Sequence, residues 1–156
     1  MVKRKYNYEI KDEKKIAKAI LSNARCSLKY STEFARELKG MKVSRAEKFF
    51  QNVIDKKEFL PLRRYNKKVA HRKGRSISFT KSGRYPKNTA KIMLKLLESA
   101  KANADYKGLN SENLLIIHFF ASKGFSRVSH QSKGHISGKR RKRKSTHLEI
   151  VVAEGK

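Results

Sequence analysis

The residues from which a hydrolytic, redox or metal site would be built are few: five histidines, one cysteine and 13 carboxylates in 156 residues. A metal site needs several ligands at fixed spacing, and a nucleophile needs an adjacent base. His118 and His147 fall in apolar, alternating segments and read as sheet-face residues. His71, His130 and His135 stand in basic stretches. His130 and His135 have no carboxylate near them, a setting for contact with a phosphate or a base and not for a cation. Glu37, Glu47, Asp55 and Glu98 lie opposite apolar stripes and read as solvated helix faces and caps. Cys26 sits on an alternating apolar face, as a core thiol would. One cysteine makes neither an internal disulfide nor a four-ligand zinc ribbon, and suits a reducing, intracellular compartment. No Gly-rich phosphate loop occurs. The expectation is a protein without a catalytic residue, cofactor or metal.

The cations carry the chemistry instead. The 40 Lys and Arg exceed the acids by 27 charges. Such a surplus opposes compaction of the isolated chain and asks for a polyanionic partner. From Phe59 to Leu97 there are twelve basic residues and no acid, and from Ser122 to Ser145 nine and none. A basic run is usually a solvated face. Here the cations cluster in acid-free windows, not alternating with Glu, and Tyr, Phe and His are interleaved with them. Counter-ion release from phosphates gives such a surface affinity, and aromatic or Arg planes stack on splayed bases. The candidate RNA contacts are Arg25 and Lys29, then Arg63, Arg64, Tyr65, Lys67, Arg72, Arg75, Arg84 and Lys87. Arg127, His130, Lys133 and His135 follow, with the run Lys139, Arg140, Arg141, Lys142, Arg143 and Lys144. That run is also a possible nuclear-import patch. A DNA-compacting protein is an alternative, but no recognition helix or dimerising heptad is evident. An RNA-processing enzyme is another, but the acidic cluster that would hold magnesium is missing.

The elements that must position these residues are read from periodicity. No run approaches the ~18 apolar residues of a membrane span, and Met1 to Ile10 lacks the apolar segment of a secretory signal. The length fits one domain over 1–156, with 1–22 as an N-terminal extension, 61–86 as a basic insertion loop and 122–145 as an extended hairpin. Ile16, Ala17, Ile20 and Leu21 behind Asp12 and Glu13 suggest a short helix. Ala24, Cys26, Leu28 and Tyr30 alternate as a strand. Ser31 or Thr32 caps a short helix carrying Phe34, Ala35 and Leu38, which Gly40 ends. Ser44 and Glu47 form a capping box before the stripe Ala46, Phe49, Phe50, Val53 and Ile54. A third helix runs from about Asn88 to Tyr106 on Ala90, Met93, Leu94, Leu97, Ala100 and Ala104, and Gly108 ends it. Strands at 114–121 and 146–153, continued inward, make one hairpin with arms of ~12 residues and a reach of roughly 40 Å. Arg127, His130, Lys133 and His135 then fall at its tip.

Eight short segments in order carry a more specific likeness. They are 25–29, 38–43, 61–66, 83–87, 96–100, 102–104, 107–109 and 147–150, including Pro61-Leu62-Arg63-Arg64-Tyr65-Asn66, Gly83-Arg84-Tyr85-Pro86-Lys87 and His147-Leu148-Glu149-Ile150. From about residue 20 onward the chain resembles the universal large-subunit ribosomal protein family numbered twenty-two in bacteria and seventeen in eukaryotes. The segment from Pro61 to Pro86 is similar to the insertion of its archaeal and eukaryotic members. The resemblance implies an α+β fold, three helices packed on a small three-stranded antiparallel sheet with a long basic β-hairpin. It implies a structural constituent of the large ribosomal subunit, bound to ribosomal RNA and neighbouring proteins at the exit of the peptide tunnel. The hairpin tip would form part of the tunnel wall and meet the nascent peptide. The place of work would be the cytoplasmic ribosome, with nuclear or nucleolar transit in a eukaryote. At the tip, Lys133 and Ser137 flank His135 where the family carries arginines, and Lys does not reproduce bidentate phosphate recognition.

Overall fold

The computed structural model describes residues 6–8, 15–135 and 138–155. Strand β1 spans Ile16–Ala24, with Ala17 and Ala19 buried in alternation. The helix expected at 16–21 is therefore a strand; the acids meant to start it, Asp12 and Glu13, lie outside the described residues. Over so short a run the apolar spacing fits both periods, and tertiary pairing decides. The partner is β6 (Arg140–Glu154), which β1 joins antiparallel from Ile16↔Ala153 to Ala24↔Thr146. On its other side β6 pairs antiparallel with β5 (Leu114–His130), giving the order β1-β6-β5. The open edge of β1 is covered by the last helix: Asn103 Nδ2 donates to Lys18 O (2.8 Å) and Lys107 Nζ to Ile16 O (2.9 Å). An edge so occupied cannot recruit a foreign strand.

The alternation at 24–30 does not make a strand either. Helix α1 begins there and spans Leu28–Leu38, with Ser27 as its N-cap. Ser31 is not the cap but sits in the first turn, its Oγ donating back to Ser27 O (2.8 Å). The helical period Leu28, Ser31, Phe34, Leu38 outweighs the two-residue one, because it places Phe34 and Leu38 in the core at 0% exposure. Gly40 follows at φ +83°, and its N–H reaches Ile116 O (2.8 Å), tying the turn to β5.

Helix α2 spans Val43–Ile54 and starts one residue before the expected capping box. Lys42 is the N-cap, no side chain caps the end, and Ser44 lies inside the first turn. Lys42 bridges to Leu115 of β5, and Val43 is 2% exposed, so pairing and burial fix the start. Glu47 instead faces Lys101 Nζ at 3.6 Å. Phe49, Phe50 and Phe34 meet with ring centroids 5.3–6.2 Å apart. Each such buried ring contributes roughly 1.5–3 kcal/mol.

After α2 the chain forms a second sheet. Its β2 (Glu58–Pro61) lies between β3 (Arg75–Ser76), parallel, and β4 (Gly83–Arg84), antiparallel. The insertion is thus folded back on β2, a sheet that the loop-like composition did not predict. Gly83 is required there, because a Cβ would overlap the Phe59 ring. Helix α3 (Lys87–Tyr106) lays Ala90, Met93, Leu97, Ala100 and Ala104 into the core, and Leu96 as well. Leu94, expected in that stripe, lies at its margin, partly buried. The whole is α+β: three helices on a three-stranded antiparallel sheet, with a hairpin running out of it.

Candidate nucleic-acid interface

The hairpin is the continuation of β5 and β6. Their ladder runs to His130↔Arg140, with bulges between Ile116 and His118 and between Lys123 and Ser126. Beyond the second bulge, rungs join Ser126↔Lys144, Arg127↔Arg143, Val128↔Lys142, Ser129↔Arg141 and His130↔Arg140. The arm from Ser122 to His130 reaches roughly 30 Å at ~3.3 Å per residue, less than expected. The difference is the turn, which Gln131 closes: its N–H bonds Lys139 O (3.2 Å) and its O accepts from Gly138 N–H (2.7 Å). Lys133 and His135 stand in that turn and His130 at its last rung. Arg127, expected at the tip, is in the stem. Of the departure segment, Ile136 and Ser137 lie outside the described residues.

At the root, Asn23 holds the bulge. It has φ +54°, and its Oδ1 accepts from Phe125 N–H (3.1 Å) and lies 3.2 Å from Ser145 Oγ, whose hydroxyl donates to Phe125 O (2.5 Å). Its own N–H donates to His147 Nδ1 (3.0 Å). Gly124 fits only as glycine, since a Cβ would stand 2.6 Å from Ser145 Oγ and 2.9 Å from Asn23 Oδ1.

The insertion is held by an acid that sequence reasoning placed nowhere. Glu33 of α1 is 1% exposed. Its carboxylate accepts from three successive backbone N–H groups: Arg63 (3.3 Å), Arg64 (2.8 Å) and Tyr65 (3.0 Å). Nearby, Arg63 Nε lies 3.2 Å from Glu37 Oε1, whose side chain is only 5% exposed. Glu37 is therefore not the solvated helix face its spacing suggested. That oxygen accepts no hydrogen bond among the described residues. Burial pushes the Glu37 carboxyl above its ordinary range; Arg63 pulls it back, Glu33 adds to the rise and Arg36 opposes it.

With its backbone held, the loop presents Tyr65 between two cations, Lys29 Nζ at 5.4 Å and the Arg64 guanidinium at 5.7 Å from the ring centroid. Lys29, Arg64, Tyr65, Lys67 and Arg84 line one cavity of about 430 Å³. It shares Ser27 and Tyr30 with a second cavity, of about 540 Å³, that holds Arg25, Lys87 and Lys144. Arg25 and Lys144 in turn line a third, of about 510 Å³, with Arg127 and Arg143. Ten of the expected contacts, scattered from 25 to 144, so form one basic strip from the insertion past the start of α1 to the hairpin root. The others stand apart. Arg63 faces Glu37. Arg75 Nε pairs with Glu58 Oε1 at 3.2 Å. Arg72 lies over the Tyr85 ring at 5.9 Å, its Nε donating to Gly83 O (3.4 Å). His130, Lys133, His135, Lys139, Arg140, Arg141 and Lys142 belong to the outer hairpin.

One aromatic escaped sequence reading: Phe125, at the hairpin root, is 67% exposed, and Phe79 of the basic loop is exposed as well, at 106%. The signal for Phe125 was present: it sits two residues from Arg127 in an arm whose only other large apolar residue is Val128. On the outer face of the main sheet, Tyr8 stacks on His118 with centroids 5.0 Å apart. There the Asn7 N–H donates to both oxygens of Glu149 (3.2 and 3.3 Å), and His118 Nε2 lies 3.3 Å from Glu149 Oε1. His118 thus has the sheet-face place its spacing predicts. Cys26 is buried, with Sγ 3.5 Å from Ser31 Oγ. No helix among the described residues is long and apolar enough to cross a membrane, and none of their His, Cys, Asp and Glu clusters could hold a metal ion.

Comparison with known proteins gives the same direction. The chain is 38% identical to the large ribosomal subunit protein uL22 of Staphylothermus marinus over 96% of each chain. It is 42% identical to that of Archaeoglobus fulgidus, covering 80% of this chain and 79% of that one. It is 41% identical to that of Hyperthermus butylicus, covering 96% and 97%. The model of the family described as Ribosomal protein L22p/L17e matches residues 19–153. The chain, with its two basic projections on one α+β body, belongs to that family of large-subunit ribosomal proteins.

Proposed function

We propose that the chain is a structural constituent of the large ribosomal subunit that binds ribosomal RNA near the peptide exit tunnel. The hairpin tip contributes to the tunnel wall, beside the nascent peptide. Neighbouring large-subunit proteins are the further partners, and the cytoplasmic ribosome is the place of work. The family is one of structural ribosomal proteins and not of enzymes, and the role proposed here is a scaffold's. The observation that carries the reading is the hairpin stem. Arg127 and Arg143 are direct cross-strand partners, in a segment without an acid. Like charges placed opposite each other destabilise a ladder in water. They are stabilised when phosphates lie along both sides. The basic strip offers the same chemistry to a backbone passing the body.

The test is deletion of 123–145, with β5 and β6 rejoined by a short turn. The rungs from Leu114↔Glu154 to Ser122↔His147 remain, with Ile116↔Val152 and Phe119↔Ile150 among them, so the body keeps its sheet. Large subunits carrying the truncated chain should retain it through a moderate-salt wash and show a widened constriction in a density map. A map with an unaltered tunnel rejects the wall role. Loss of the intact chain from large subunits at low salt rejects the ribosomal role altogether.

A further inference from the structure

The cavity at the hairpin root combines features that the general reading of a basic surface leaves unused. Its volume of about 510 Å³ lies within the range of small-ligand sites. Four cations line it, Arg25, Arg127, Arg143 and Lys144, and no acid does. Its apolar wall is Phe125, 67% exposed. Among the described residues no aromatic ring packs on Phe125. The backbone beneath is held on both sides, since Asn23 Oδ1 accepts from Phe125 N–H and the Ser145 hydroxyl donates to Phe125 O.

The spacing is informative. Phe125 and Arg127 are two apart on β5 and share a face, so they stand roughly 7 Å from each other. Arg143 is the direct partner of Arg127. Two guanidiniums held side by side form a fork for one anion. An anion site next to an exposed ring, at two-residue spacing, matches the separation of a phosphate from its own base. A base stacks on the ring only if its face is free, and within a duplex both faces are covered by the neighbouring stacked bases.

We infer that this cavity takes one unpaired RNA nucleotide, its base on the Phe125 ring and its phosphate between Arg127 and Arg143. Arg25 and Lys144 hold the adjoining backbone. This rests on the RNA-binding reading and specifies it: the hairpin root takes a bulged or single-stranded nucleotide, where the stem above meets backbone only.

The chain contains no tryptophan, so Phe125→Trp in the full chain introduces a single fluorescent reporter. The probes are a short single-stranded RNA oligonucleotide and a duplex of the same sequence. The single strand should quench the indole emission of Phe125→Trp strongly, and the duplex at equal saturation should not. Phe125→Leu should weaken single-strand binding roughly 5- to 150-fold with an unchanged salt slope. Arg127→Gln should lower that slope by about one unit. Phe125 is exposed, so these changes leave the core intact, which an unchanged thermal midpoint verifies. Steeply salt-dependent binding with a silent indole and a neutral Phe125→Leu overturns the nucleotide site and leaves RNA binding standing. Absence of salt-dependent binding removes both. Equal quenching by duplex and single strand overturns the unpaired nucleotide. An emission shift of the Phe125→Trp variant seen only on assembly into large subunits assigns the ring to a protein neighbour and overturns it too.

Discussion

Replacing Glu33 by Ala tests whether one buried acid shapes the basic strip. The carboxylate accepts from Arg64 N–H at 2.8 Å and Tyr65 N–H at 3.0 Å, and less closely from Arg63 N–H at 3.3 Å. Hydrogen bonds to a charged acceptor contribute about 1.5–3 kcal/mol each, so the two short ones amount to about 3–6 kcal/mol. Two effects reduce the loss. Arg63 and Arg64 are exposed, so water can reach the freed amides. Removing Glu33 also removes a charge that is 2% exposed and is helped by Arg36 only at 3.7 Å. A net loss of about 2–4 kcal/mol is expected, or roughly 4–16 °C in the thermal midpoint of a domain this size. Urea unfolding of Glu33→Ala and Glu33→Gln, with amide exchange read at 63–65, measures it. Gln keeps the shape but offers one acceptor oxygen and turns an NH2 towards the donors. It should therefore lose at least half as much as Ala. If Glu33→Ala loses less than about 1 kcal/mol and the three amides keep their protection, the carboxylate does not hold the loop.

Gly124→Ala should displace Ser145 or Asn23 and cost about 1–3 kcal/mol, with faster exchange at Phe125 and unchanged exchange in α2; normal exchange at Phe125 would contradict the crowding. Because Arg63 is already engaged by Glu37, Arg64→Ala should lower the salt slope of RNA binding by about one unit, and Arg63→Ala by clearly less. Equal slopes for the two variants would contradict that division. Glu37 should show in the pH dependence of stability. Its carboxyl is raised in the fold, so the folded state binds the proton more tightly, and its contribution falls as pH rises from the ordinary carboxylate pKa through the raised one. Glu37→Gln should flatten that decline in thermal midpoint, and a curve parallel to the parent's would count against burial as the cause.

The elements legible in the sequence were those whose period was long and whose burial was one-sided. Helix α3 and the stripe of α2 are found where Met93, Leu97, Phe49 and Phe50 put them. Two elements given the wrong type lie in the first thirty residues, where Ile16, Ala17, Ile20 and Leu21, and then Ala24, Cys26 and Leu28, fit two periods at once. Only β6 on one side, and Phe34 on the other, choose between them. The short strands β3 and β4, two residues each, are too brief to show any period. The basic strip was legible as composition but not as a surface, because Lys29 and Arg84, and Arg25 and Arg143, line shared cavities through the fold alone. Glu33 was illegible for a related reason. Its three partners are backbone amides 30 to 32 residues away, and no residue type marks such donors.

The joint of Asn23, Gly124 and Ser145 also sets what lengths the projecting arm can take. It fixes register at the root, so everything beyond it counts outward from a fixed origin. Adding one rung, a residue to each arm, moves the turn outward and turns its side chains to the other face. Adding two rungs restores the face. Descendants of this hairpin can therefore grow or shrink in steps of four residues, two per arm, with the outer cations kept on their original sides. A single inserted residue in one arm would instead demand another bulge, or would exchange the faces of Phe125 and Arg127 with those of Ser126 and Val128. Length variation in such an arm is in this sense quantised at its base, however variable the residues at its end.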